Sequence, residues 1–275
     1  MGFFDKLFEK KECAICGGEI GLLGNRKLED GNMCKLCAAK LSPWFEDRRS
    51  STIAQINEQL AYREANKDKV AAFHITRTLG EYTKLLLDED AGCFVVTDAR
   101  DLKEDNPDVL SFADVTGCDL DIDESEYEIT RTDKDGKEVS YTPPRYRYEY
   151  DFYITIHVRN PYFDEMRFRL NSSNVEIEPP ARPVMGGPRP GGMRGPAMSR
   201  IAAGRFDPER DMDYRRYKEM GEEIKDILLN ARQQVREDAA AAAAPKVALT
   251  CPYCGATTTP DASGCCEFCG GAVKG

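Results

Sequence analysis

Eight of the eleven cysteines in this chain form four Cys-x-x-Cys pairs, and the pairs come two by two. Cys13 and Cys16 are followed, after 17 intervening residues, by Cys34 and Cys37. Cys251 and Cys254 are followed, after 11, by Cys266 and Cys269. Two residues between thiolates let one tight turn aim both sulfurs at a single ion, and two such turns complete the four-sulfur tetrahedron that Zn²⁺ prefers. Gly17, Gly18, Gly255, Gly270 and Gly271 follow the pairs, where backbone N–H groups must point back at sulfur. The spacing predicts two zinc ions. Disulfides suit a chain of a reducing compartment poorly, and thioredoxin-like exchange would need a βαβ setting that these pairs lack. With sulfur at all four positions no place remains for water, so a structural role is expected and Lewis-acid catalysis is not.

The remaining candidates are weaker. Cys265 adjoins Cys266 and competes with it, and the two-residue spacing to Cys269 favours Cys266. Cys93 and Cys118 lie in apolar or alternating runs and read as core thiols. A cluster of these two with His74 and His157 is the sharper alternative. Two histidines assemble no Ser-His-Asp or Cys-His-Asn arrangement, so no catalytic residue is predicted and the protein is read as a non-enzyme.

The chain's 275 residues leave room for roughly two domains or three small ones. The net charge is −10, a poor balance for an indiscriminate nucleic-acid binder. Charge is unevenly placed. Residues 74–178 hold 12 basic and 25 acidic side chains, whereas 179–205 hold five arginines and no acid. The expected layout is an N-terminal stub (1–12), a four-Cys zinc domain with a polar helix (13–70), a β-rich domain (73–178), a Pro/Gly/Arg linker without fixed structure (179–205), an amphipathic helix (207–244) and a four-Cys zinc ribbon (249–275). Strand candidates in the middle are Phe73–Leu79, Thr83–Leu87, Cys93–Thr97, Val109–Phe112, Cys118–Ile122, Tyr146–Val158 and Met166–Leu170. The acidic run Asp114 to Glu128 reads as a solvated edge strand, with a Ca²⁺ loop as the sharper alternative. Tyr217, Met220, Ile224, Ile227, Leu228, Ala231 and Val235 recur at helical spacing, capped by Asp207 or Asp211. That stripe either packs on the β-rich domain or pairs with a second chain through Tyr217, Ile224 and Ala231, seven apart. Phe3, Phe4, Leu7 and Phe8 share one face of a first helix expected to pack against the zinc module or fray, with contact to a membrane surface as the sharper alternative. The stub lacks the apolar core of a secretory signal and no run approaches a membrane span of about 18 residues, so a cytoplasmic location is expected.

The stretch CAICGGEIGLLGNRKLEDGNMCKLCAAKLSPWF resembles the N-terminal zinc-binding domain of an uncharacterised bacterial group, domain-of-unknown-function family 4428. The layout is similar to a treble clef: a knuckle, a Gly-rich hairpin, then a helix opening on the second ligand pair. CPYCGATTTPDASGCCEFCGG resembles a small zinc ribbon, and the middle with its following helix resembles a bacterial pleckstrin-homology-like domain. The fold class expected is therefore α+β, two small zinc modules flanking a pleckstrin-homology-like body. The resemblance implies zinc at the eight paired cysteines and no activity. A phosphoinositide site is disfavoured, because the first strand loop offers only Arg77 and Lys84 beside Glu81. The expected function is a non-catalytic adaptor or scaffold with a protein partner. The rivals are a nucleic-acid-binding ribbon aided by the Arg linker, against which the ribbon has two basic and two acidic residues and little aromatic surface, and a zinc or redox sensor using Cys265.

Overall fold

The computed structural model describes residues 11–179, 206–243, 248–260 and 264–273. The apolar face of the stub and the Arg-rich stretch 180–205 lie outside the described residues. The chain divides into two compact units, Met1–Arg232 and Gln233–Gly275.

The first unit opens with short elements built around a turn-rich core: β1 (Lys11–Glu12), β2 (Glu19–Ile20), β3 (Asn25–Lys27), β4 (Asn32–Cys34) and α1 (Lys35–Ala38). β1 pairs with β2 and β3 with β4, both antiparallel. Their apolar core is small, made of Ile20, Leu28, Met33, Leu41 and Ile56 with Cys13 and Cys37. A single 3-10 turn (Asp47–Ser50) leads into α2 (Ile53–Ala72). Thr52 starts α2 as a capping box with Gln55, and Asp30 accepts a further hydrogen bond from the Ile53 N–H at 2.8 Å.

The middle holds two four-stranded antiparallel sheets. The first is a meander of β5 (Arg77–Leu79), β6 (Lys84–Asp88), β7 (Cys93–Thr97) and, after the short α3 (Leu102–Asp105), β8 (Leu110–Ser111). The second is built on a long hairpin, β9 (Val115–Thr132) and β10 (Glu138–Val158), with β11 (Glu165–Arg169) and β12 (Val175–Ile177) on the other edge of β10. Eight strands thus stand where the sequence suggested seven. Phe73 is not strand: it ends α2 and is buried with Val70, Leu86, Val95 and Val109. β12 was too short to signal itself. β9 and β10 run well past Cys118–Ile122 and Tyr146–Val158, because Glu124, Glu126 and Glu128 face Tyr150, Tyr148 and Tyr146 across the pair, and such a polar ladder hides a strand's periodicity. The register slips between Ser140 and Arg145, where Pro143 and Pro144 lack N–H donors.

The helix α4 (Met212–Ala243) starts on Asp211, whose carboxylate accepts the N–H groups of Asp213 and Tyr214, while Asp207 caps the 3-10 turn before it. Its buried stripe within the first unit is Tyr214, Tyr217, Ile224 and Leu228. Tyr214 meets Tyr150 and Phe152 edge-on at 4.9 and 5.2 Å between centroids, and a Cβ on Gly221 would fall 2.6 Å from Leu120. The stripe is therefore spent on the β-rich body. Arg77 pairs with Glu223 and Arg216 with Glu81, so the charge of Arg77 is already met by a carboxylate of α4. In the second unit, β13 (Leu249–Thr250) pairs with β14 (Thr257–Thr258).

Candidate metal centres

Each centre begins as a turn. Between β1 and β2 the Cys13 N–H donates to the Gly18 carbonyl at 2.8 Å and the Gly17 N–H to the Cys13 carbonyl at 2.8 Å. The same two bonds recur at Cys251 (to Ala256, and from Gly255) and at Cys266 (to Gly271, and from Gly270), between 2.8 and 2.9 Å. Gly17, Gly255 and Gly270 hold φ of 70°, 73° and 67°, a left-handed conformation that costs any other residue steric strain. Three of the four pairs are thus one repeated knuckle. The fourth differs. Cys34 closes β4 and caps α1, accepting the Cys37 N–H on its own sulfur at 3.4 Å.

These turns bring Cys13, Cys16, Cys34 and Cys37 into one group and Cys251, Cys254, Cys266 and Cys269 into another, with all sulfurs of a group within 4.8 Å of one another. Zn–S bonds of about 2.3 Å in a tetrahedron require sulfur–sulfur edges of about 3.8 Å. The Cys16–Cys34 edge is 3.9 Å, Cys251–Cys269 is 3.5 Å and Cys254–Cys266 is 3.7 Å, and every cysteine is free of disulfides. The donor sets fit a soft or borderline divalent ion. Acidity agrees. Burial opposes ionisation of Cys13, but the N–H groups of Cys34, Cys16 and Ile15 outweigh it and bring the thiol down to about 6. Burial and the neighbouring thiols push Cys37 up to about 12. Cys266 and Cys269 divide in the same way, Cys266 lowered by backbone N–H groups against the cost of burial, and Cys269 raised by the thiols beside it although the Gly271 N–H favours its thiolate. Four thiolates at such distances need a cation among them.

Cys266, not Cys265, joins the second group; Cys265 instead makes a β-bridge with Ala272. Cys93 and Cys118 stand apart from both, half-buried and buried, with burial pushing the Cys118 thiol up to about 12. The alternative cluster with the histidines does not form. The His74 N–H donates to Asp88, and the His157 ring lies 3.0 Å from Asp119. The acidic run is an edge strand whose Asp121 and Asp123 are met by Arg167. Among the described residues only the two cysteine groups gather three or more metal-ligand atoms.

Two features carried no clear signal in the chain. The ribbon exposes Tyr253 (72%) and Phe268 (68%), one from each knuckle at the position before its second cysteine, so aromatic surface is present where little was expected. And α2 buries three polar residues, Gln59, Arg63 and Asn66, of which Arg63 and Asn66 meet residues 105–109 of the β-rich body. Arg63 lies 2.9 Å from Asp108 with both side chains buried, Ser42 donates to Asp108 at 2.7 Å, and the Asn66 amide donates to the Pro107 carbonyl and accepts the Val109 N–H. Spacing of four and three residues is the helical signal that might have exposed this stripe, had its members been apolar.

A family model described as a domain of unknown function (DUF4428) matches residues 11–59. That span covers the first centre and stops within α2, before Arg63. No curated protein matches the chain, and no solved structure does.

Proposed function

We propose that this protein is a non-catalytic zinc adaptor, in which two structural zinc ions shape interaction modules at the two ends of a pleckstrin-homology-like body. The supporting observation is that both ligand sets consist of sulfur alone and are complete at four, which leaves an ion no open position for substrate. The β-meander, second sheet and following helix match the strand-rich layout of the pleckstrin-homology-like reading. Bound zinc would supply cross-linking energy, and the chain's own residues do the rest: N–H groups orient the sulfurs, and the glycines turn the backbone. The ribbon is the surface for a protein partner. Its knuckle aromatics Tyr253 and Phe268 are exposed, and its segment carries two basic and two acidic residues, a composition suited to protein contact more than to a phosphate backbone.

The test pairs metal analysis with capture. Purified protein should contain two zinc ions per chain, and a Tyr253→Ala/Phe268→Ala variant should keep both while losing a cross-linkable protein partner. Near-zero zinc in protein folded at both ends would overturn the reading. Substrate turnover abolished by a non-cysteine substitution in residues 73–178 would overturn its non-catalytic part.

A further inference from the structure

The turn that joins β2 to β3 in the first centre has an unusual composition. Gly24 donates its N–H to the Gly21 carbonyl at 2.9 Å, so Leu22 and Leu23 are the two central residues of a β-turn. Leucine has no turn-forming property; Gly, Asn, Asp, Pro and Ser supply those. Yet Leu22 is 85% exposed and Leu23 90%, and Leu36, two residues beyond the Cys34 that pairs with Asn25, is 71% exposed. Single exposed leucines are ordinary, but an adjacent pair at the centre of one turn is a surface awaiting an apolar neighbour.

Cations stand beside them. Arg26 donates to the Leu23 carbonyl, which ties its guanidinium to the turn. Arg26, Lys35 and Arg48 line one concavity of about 350 Å³ together with Ala38 and Phe45, and no carboxylate lines it. Arg48 is half-buried, and burial followed by repulsion from Arg49 and Arg26 lowers its pKa, a mark of crowded positive charge. Asp30 is engaged at the start of α2, and Glu46 and Asp47, exposed just before Arg48, do not line the concavity. Apolar turn plus cationic concavity is the complementarity of a lipid surface with anionic headgroups: leucines enter the acyl boundary while guanidinium and ammonium groups meet phosphate. Asp108 of the body accepts the hydroxyl of Ser42, which also lines the concavity, and its charge is met there by Arg63.

We propose that the Leu22–Leu23 turn and the Arg26/Lys35/Arg48 concavity form a docking site for an anionic membrane surface. The first zinc would then hold a peripheral membrane anchor in shape, a role separate from protein contact at the ribbon.

Zinc-loaded full-length protein should sediment with vesicles of phosphatidylcholine and phosphatidylserine at low salt and remain free with phosphatidylcholine alone. Leu22→Ser/Leu23→Ser and Arg26→Glu/Lys35→Glu should each weaken the partitioning about tenfold or more. All four side chains are exposed, and unchanged zinc content would show the variants folded. Residues 1–10 stay intact in both variants, so partitioning that survives both would place the contact elsewhere and overturn the proposal. It is also overturned by no vesicle association of the zinc-loaded chain, by RNA binding through the same cations without vesicle binding, or by self-association that the leucine variant abolishes while vesicles bind nothing.

Discussion

The two centres use the same four ligands and solve different problems. In the second, a knuckle faces a knuckle. Both halves carry the same pair of backbone hydrogen bonds, and the buried apolar residues are Cys251, Cys266 and Val273, with Leu249 packed on them. Sulfur takes the place of an apolar core there. In the first, a knuckle faces a helix start, and Leu28, Met33, Leu41 and Ile56 add an apolar core of their own. The separate helix α2 then carries a buried polar seam onto the β-rich body. An identical coordination shell can thus be the whole of one module's stability and only a part of another's.

Removing single ligands breaks the comparison most directly. Zinc ligation is worth on the order of 10–16 kcal/mol of apparent folding energy in small modules. In Cys266→Ser, hydrogen exchange should find residues 248–273 without protection. In Cys13→Ser, β5 through β12 should stay protected while the Cys13–Ala38 region loosens. A ribbon that kept its protection in Cys266→Ser would erase the distinction.

The seam comes next in size. Asp108→Ala or Arg63→Met should each cost about 3–5 kcal/mol in urea unfolding of the first unit, because each strands a buried charge. The double replacement Arg63→Met/Asp108→Leu should cost less than the two singles added, and ribbon zinc should be untouched by any of them.

Asp88 gives a smaller, pH-dependent effect. It is 2% exposed and accepts the N–H groups of His74 and Ala91 at 2.8 and 2.9 Å. Those bonds hold its carboxyl below the ordinary 3.8 despite the cost of burial. A depressed carboxylate contributes stability that is present above its unfolded value and is lost as pH falls through the folded one. Asp88→Asn should therefore cost about 1–3 kcal/mol at neutral pH, and the cost should shrink in acid unfolding below about pH 4.

The knuckle glycines are the finest probe. No atom lies within 4 Å of a Cβ added at Gly17 or Gly255, so only backbone strain opposes alanine at either. Each should lower metal affinity by the equivalent of about 1–2 kcal/mol, and by the same amount in competition titration with a chelator. Unequal losses would mean that the two knuckles differ in more than their surroundings.

How far such features were readable depended on whether one residue type does one job. Cysteine at metal spacing does, so the two groups and the choice of Cys266 over Cys265 could be read from the chain. The stripe Tyr217, Ile224 and Leu228 was legible for the same reason: apolar side chains at helical spacing have few other uses. Arg63, Asn66 and Asp108 were not, because a charged or amide side chain on a helix reads as solvated until a partner distant in sequence is known. β9 escaped in part for a related cause, its Glu–Tyr ladder carrying pairing without apolar alternation. Tyr253 and Phe268 sat in plain view within the two motifs, but exposure is a property of the fold and not of the spacing.

One residue of the second sheet has a consequence for how this chain tolerates change. Ile177, at the end of β12, is the cross-strand partner of Tyr148, and the ring of Phe206 stacks on that same tyrosine with centroids 6.4 Å apart. The stretch between 177 and 206 therefore departs and returns at a single point of the body. Both ends of that stretch are held by one tyrosine, so a change of its length leaves the two ends in place for as long as Ile177 and Phe206 keep Tyr148.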